Sequence, residues 1–119
     1  MKRHFSLKQN SDFQRLYRKG KYAATSTLVL YWRPNRLGYS RLGITASTKL
    51  GHAVVRNKIR RRIREIYRHH EAELREGIDL VVVARAQAPQ VDYWKLDRDF
   101  QKLSKKLGIR TQPPKETVQ

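Results

Sequence analysis

Residues 49–64 read KLGHAVVRNKIRRRIR, with seven basic residues and no acidic one. Arginine predominates, and its planar guanidinium donates paired hydrogen bonds to phosphate. The chemistry this run can do is to hold a polyanion. Val55, Ile59, Ile63 and Ile66 recur at the spacing of one helical face, which predicts a helix over about 53–73 anchored by that stripe. The charge suits a partner better than it suits the helix. Arg56, Arg60, Arg64 and Arg68 stack at successive i,i+4 positions, each like pair costing roughly 0.2–0.5 kcal/mol. Arg56, Lys58, Arg60 and Arg61 crowd the first turns, where the helix dipole favours anions, while Glu71, Glu73 and Glu76 fall near the other end. On a helical wheel Asn57, Arg61, Arg64 and Arg68 lie opposite the apolar stripe, Arg56 and Arg60 flank it, and Arg62 lies close to it. Asn57 is the one uncharged polar residue on this face, able to meet a base, a ribose or a hydrated metal ion.

A second group is aromatic. Phe13 and Tyr17 are four apart on a short predicted helix that opens at Ser11, with a capping box between Ser11 and Gln14, and ends at Gly20. Tyr31 alternates with Leu28, Leu30 and Trp32 on a predicted strand over 27–33. Thr45 and Ser47 form the small, polar face of the next strand, over 41–47. If Tyr31, Thr45 and Ser47 share one sheet face with Phe13 and Tyr17 beside it, they make a cleft that stacks unpaired bases. The competing reading is that Phe13 and Tyr17 are plain core residues, and the pattern alone leaves both open.

Groups that could break a bond are scarce. His69 and His70 are adjacent and diverge on a helix, His4 lies in a basic arm, and His52 precedes the basic helix. Asp97 and Asp99 do not face each other, and Glu71, Glu73 and Glu76 read as solvated helix charges. The glycines lack phosphate-loop spacing. No cysteine is present, which excludes thiol catalysis, disulfides and cysteine-bound zinc. No catalytic residue and no dedicated metal ligand is expected. The 119 residues carry a formal net charge of +17, enough to attract polyanions and to resist compaction. RNA, DNA or an anionic membrane surface could neutralise it. A surface-lying helix would show a broad apolar face with Trp, Phe or Leu; this one offers Val and Ile on a narrow stripe. With no signal peptide and no span-length apolar run, the cytoplasm is the expected location.

The elements that must position these groups follow in order. Residues 1–10 read as a mobile basic arm. After the first helix and the two strands, with room for a short extra strand over 21–25, comes the basic helix. Residues 78–84, IDLVVVA, form a strand apolar at almost every position and so central. Asp92 caps a last helix with Leu96, Phe100, Leu103 and Leu107 on one face and Gly108 at its end. The order α-β-β-(β)-α-β-α defines a single α+β domain over 1–109, a central mixed sheet packed on helices mainly on one face, with a flexible tail over 110–119.

The basic segment resembles the bacterial ribonuclease P protein family. The approach Lys49, Gly51, Ala53, Val54 leads into Arg56, Asn57, Lys58 and then Arg60, Arg61 and Arg64. Phe13, Tyr17 and Gly20 match the family's Phe-x-x-x-Tyr/Phe-x-x-Gly element, and the IDLVVVAR strand is similar as well, so that the likeness covers about residues 5–108. Lys58 stands where arginine is usual, Arg62 where an apolar residue is frequent, and Thr48 where lysine is frequent. The resemblance implies a fold like ribosomal S5 domain 2 with a left-handed βαβ crossover, against the general right-handed rule. It also implies a protein subunit that assists a catalytic RNA in removing the 5′ leader from precursor tRNA, with Mg²⁺ held mainly by the RNA and with no membrane or DNA partner. Carried over, Phe13, Tyr17, Tyr31, Thr45 and Ser47 line the leader cleft. Lys49, Arg56, Asn57, Lys58, Arg60, Arg61, Arg64 and Arg68 face the catalytic RNA and the substrate.

Overall fold

A computed structural model describes residues 5–111. The elements are β1 (Phe5–Ser6), α1 (Asn10–Lys19), β2 (Lys21–Ala24), β3 (Leu28–Pro34), β4 (Arg41–Thr45), α2 (Ala53–His70), β5 (Ile78–Ala84) and α3 (Tyr93–Lys106). The five strands form one mixed sheet in the order β1-β4-β5-β3-β2. β1 and β4, and β4 and β5, run parallel, while β3 is antiparallel to both β2 and β5. β5 is central and nearly continuous in apolar residues because both of its faces are covered. The optional strand over 21–25 forms as β2.

Two cores lie on opposite sides of this sheet. On one side Leu30, Trp32, Leu42, Leu80 and Val82 pack against Ile59, Ile63 and Ile66 of α2 and Leu96, Phe100 and Leu103 of α3. On the other, α1 lies alone across β3 and β5, and Leu16 joins Leu7 and Val81 with Phe13, Tyr17, Tyr31 and Val83 half-buried around them. Burying a Leu, Ile or Phe side chain is worth about 1.5–3 kcal/mol, so these few contacts suffice to pin each helix to its face.

Several local expectations shift. α1 begins at Asn10 with Gln9 at its N-cap and no side-chain cap bond, so the Ser11–Gln14 box does not form. Gly20 ends α1 in extended rather than left-handed geometry. Its lack of a side chain matters because a Cβ there would stand 2.6 Å from the Leu16 carbonyl oxygen. The basic arm is shorter than expected: Phe5 and Ser6 pair with Arg41 and Leu42, and Leu7 is buried. α2 stops at His70, so Arg68, His69 and His70 fill its last turn and Glu71 and Glu73 lie beyond it in a 3₁₀ turn. The dipole mismatch is therefore confined to the N-terminal end, where the first turn holds no acidic residue. Glu73 is no solvated helix charge. It is half-buried, it accepts a hydrogen bond from Arg110, and it lies 3.7 Å from His70, whose other nitrogen meets Asp97 at 2.8 Å. Arg110 pairs with Leu74, and the Thr111 amide donates to the Glu73 carbonyl. The ordered domain thus extends past residue 109. Residues 1–4 of the arm and 112–119 of the tail lie outside the described residues.

α3 is anchored at its N-terminus and at its middle. Asp92 accepts from the Lys95 amide at 2.9 Å, as its position predicts. Buried Asp99 accepts from the hydroxyls of Thr27 and Thr25 and from Lys95. Burial pushes the Asp99 carboxyl up. The hydrogen bonds from Thr27, Lys95 and Thr25, with the Lys95 charge, outweigh it and hold the group below its ordinary 3.8. Because the folded value is the lower one, its contribution is complete above about pH 3.8 and is lost as pH falls through the folded value. Asp99→Ala should cost about 1–3 kcal/mol at neutral pH by stranding the buried Thr27 hydroxyl and taking a partner from half-buried Thr25. In urea melts, the gap between wild type and variant should narrow only on acidification below that value.

Candidate nucleic-acid interface

The sheet face under α1 carries the aromatic group. Strand register aligns Tyr22, Tyr31, Val81 and Gly43 in one cross-strand row, and Ala24, Val29, Val83 and Thr45 in the next. Aligned residues share a face. Tyr17 reaches down from α1 and hydrogen-bonds Thr45 Oγ1 at 2.8 Å. Its ring meets Tyr31 edge-on, with centroids 5.0 Å apart, and Phe13 lies 6.4 Å further along the helix. Gly43 makes the Phe13 position possible, since a Cβ there would stand 2.7 Å from Phe13 Cζ. Phe13, Tyr17, Tyr31 and Thr45 are each half-buried. Phe13, Tyr17 and Tyr31 pack on the small core and keep part of their surface exposed.

Ser47 stands apart from this cluster. It is exposed beyond the end of β4, and its carbonyl accepts from Leu50 at the 3₁₀ turn that holds Lys49. Sequence reading passed over two neighbours of the cleft. Tyr22 is 65% exposed and stacks on Tyr31 at 5.4 Å; an aromatic residue beside Lys21 on an edge strand was the available signal. Arg85 continues the alternation of Val81 and Val83 and donates to the Thr25 carbonyl at 2.9 Å, bringing positive charge to the open end of that sheet face.

α2 presents its charges on the side away from its buried stripe. Ile59, Ile63, Ile66 and Tyr67 are buried, whereas Asn57, Lys58, Arg61, Arg64 and Arg68 are exposed. Three arginines are tied to the protein itself. Arg56 donates to the Gly51 carbonyl, Arg62 to the Val91 carbonyl, and Arg60 to the Ala46 carbonyl and to Asn57 Oδ1. Arg62 thus stands at the buried edge, as its place on the wheel implied. Among the described residues no hydrogen bond or ion pair holds Lys58, Arg61, Arg64 or Arg68, which leaves their guanidinium and ammonium groups available to an external anion. No cluster of three or more potential metal ligands occurs among the described residues, and no helix there is long and apolar enough to cross a membrane.

Fold and site together define a small α+β protein with an aromatic cleft on one sheet face and a cationic helix on the other. Known proteins resemble this chain in sequence and in fold. The family model described as Ribonuclease P matches residues 1–108. The ribonuclease P protein component of Natranaerobius thermophilus is 38% identical over 104 residues, covering 87% of this chain and 90% of that protein. The Caldanaerobacter subterraneus component is 39% identical over 103 residues, covering 87% and 89%. Among solved structures, the Staphylococcus aureus RNase P protein superposes with a TM-score of 0.81 at 35% identity, over 89% of this chain and 97% of that one. The Thermotoga maritima protein gives 0.77 at 33% identity, over 85% and 96%. The chain belongs to the ribonuclease P protein family. Membership associates it with the tRNA-processing endoribonuclease complex of that name and with the RNA of that complex.

Proposed function

We propose that this protein binds the catalytic RNA of ribonuclease P and the 5′ leader of precursor tRNA, and so assists the RNA in removing that leader. The observation that carries the reading is the pairing of two surfaces in one small domain. One is the half-open cleft of Phe13, Tyr17, Tyr31 and Thr45; the other is the unpaired charge of Lys58, Arg61, Arg64 and Arg68 on α2. Unpaired bases stack on aromatic rings whatever their sequence, which is what a leader of variable sequence requires. Lys49, with Arg56, Asn57 and Arg60, extends the charged surface toward the cleft, and Ser47 sits at the turn between them. The chemical step belongs to the RNA in this account. Three of the more buried carboxylates are engaged structurally, Asp99 with threonines, Asp97 with His70, and Asp79 with Arg41. Mg²⁺ is accordingly held mainly by the RNA, with no dedicated protein ligands, and the complex works in the cytoplasm without a membrane or DNA partner.

Affinity for precursor tRNA in complex with a bacterial ribonuclease P RNA, measured across a salt titration, tests this. Binding should fall steeply with salt. Arg61→Gln and Arg64→Gln should each lower the log–log slope by roughly 0.7–0.9. A slope unmoved by either substitution would remove α2 from the RNA contact. Duplex DNA bound as tightly as RNA at one fixed salt concentration would favour a general nucleic-acid binder.

A further inference from the structure

α3 turns its acids inward and its cations outward. Asp97 meets His70 and Gln101 on the α2 side, and Asp99 is buried on Thr25, Thr27 and Lys95. Opposite Leu96, Phe100 and Leu103 stand Trp94, Arg98, Lys102 and Lys105, all exposed. Asp92 at the N-cap and Glu65 beside Tyr93 lie toward the N-terminal end of this face. Lys105 and Lys106 occupy the last turn, where the helix dipole favours cations. Arg98 and Lys102 gain nothing of that kind: they are like charges at i,i+4, a spacing that destabilises a helix. Among the described residues no hydrogen bond or ion pair holds the side chain of either. Trp94 lies one turn before Arg98 and is 63% exposed. Its indole stands edge-on to half-buried Tyr93, with centroids 5.0 Å apart, so it is steadied while most of it stays in water. Ring, guanidinium and ammonium thus follow one another at intervals of about 6 Å, four residues of helical rise.

α3 lies beside α2 on the sheet face away from the aromatic cleft, so its outer face adjoins the unpaired cations of α2. We infer that this face is a second RNA-binding site, taken by an unpaired segment of the catalytic RNA: one base stacks on Trp94, and the phosphates beside it meet Arg98 and Lys102. The inference rests on the reading above that α2 faces that RNA. Charge complementarity commits the occupant to a polyanion. The ring commits it to unpaired nucleotides, because the bases of a continuous duplex offer an indole no free face. The 5′ leader is held across the sheet in this account, which leaves the catalytic RNA.

The test is binding of the full chain to a bacterial ribonuclease P RNA without tRNA, and then binding of precursor tRNA to the assembled complex. It compares wild type, Trp94→Ala, the double variant Arg98→Gln/Lys102→Gln, and Arg61→Gln as an α2 control. The substituted residues are exposed, so every variant should melt near wild type. Trp94→Ala should raise the Kd for the catalytic RNA at least about 5-fold at fixed salt. The double variant should lower the log–log salt slope by roughly 1.4–1.8. Acrylamide adds a direct readout, since it quenches exposed Trp94 in preference to buried Trp32; adding the RNA should shield the fluorescence from it. Unchanged affinity and slope in the α3 variants, with Arg61→Gln still weakening binding, would overturn the α3 site alone. An effect from neither helix would fail the reading of α2 as well, a distinct result. Losses confined to precursor tRNA would overturn the assignment to the catalytic RNA. Shielding of Trp94 that rises with protein concentration in the absence of RNA would make the occupant a second copy of this chain and overturn it too.

Discussion

Phe13→Ala and Tyr17→Ala should each weaken binding of precursor tRNA by about 1–3 kcal/mol, roughly 5- to 150-fold, while leaving leaderless tRNA nearly unaffected. The expectation rests on where the two rings stand. Both are half-buried, packed against Leu7, Leu16 and Val81 with part of their surface exposed. Tyr17 is fixed further by its hydrogen bond to Thr45 and by the edge of Tyr31. A ring held in this way gives a base a surface already in place. Truncation also removes some packing, so stability will fall modestly; the readout is the difference between precursor and leaderless tRNA at a protein concentration where both variants are folded. Tyr17→Phe separates the ring from the hydroxyl. It should retain most leader affinity, because stacking needs the ring and the Thr45 bond only steadies it. Equal losses on both tRNAs would place these residues in the core alone.

Phe100→Ala should be the most damaging single truncation for stability, at about 3–5 kcal/mol. Phe100 is fully buried, lies between α3 and the sheet among Leu96, Leu103 and Ile109, and stacks on His70 with centroids 5.8 Å apart. Its loss would open a cavity where α2, α3 and the sheet meet, a junction that also carries the His70–Asp97 contact. Chemical denaturation at neutral pH measures it. A cost near 1 kcal/mol would mean that the site collapses around the missing ring. A folding protein with +17 formal charge has little margin, so the variant should gain conspicuously from added RNA through binding to the native state.

The two surfaces were legible in the sequence to different degrees. β5 was readable because seven residues, nearly all apolar, can only be a strand covered on both faces. The buried side of α2 was readable because Ile59, Ile63 and Ile66 keep helical spacing without interruption. The cleft followed from alternation on β3 and β4, which placed Tyr31 and Thr45 on one face. Ser47, by contrast, was counted into that face from the same alternation, but the strand ends at Thr45 and the chain turns into a 3₁₀ segment. β1 was hidden because two residues carry no periodicity and their partner strand starts more than thirty residues later. Glu73 could not be distinguished from a solvated helix charge until Arg110, far along the chain, was brought to it. The Asn57–Arg60 contact spans only three residues, yet it was not legible, because an amide on a basic face can meet an external ligand as readily as its own helix neighbour.

The most direct measurement of the central claim is cleavage of a 5′-leader precursor tRNA by a bacterial ribonuclease P RNA at low Mg²⁺, with and without this protein. Efficient cleavage should appear only when both are present, and raising Mg²⁺ should partly replace the protein. A folded protein that leaves the RNA as slow as before would contradict the account, as would cleavage by the protein alone.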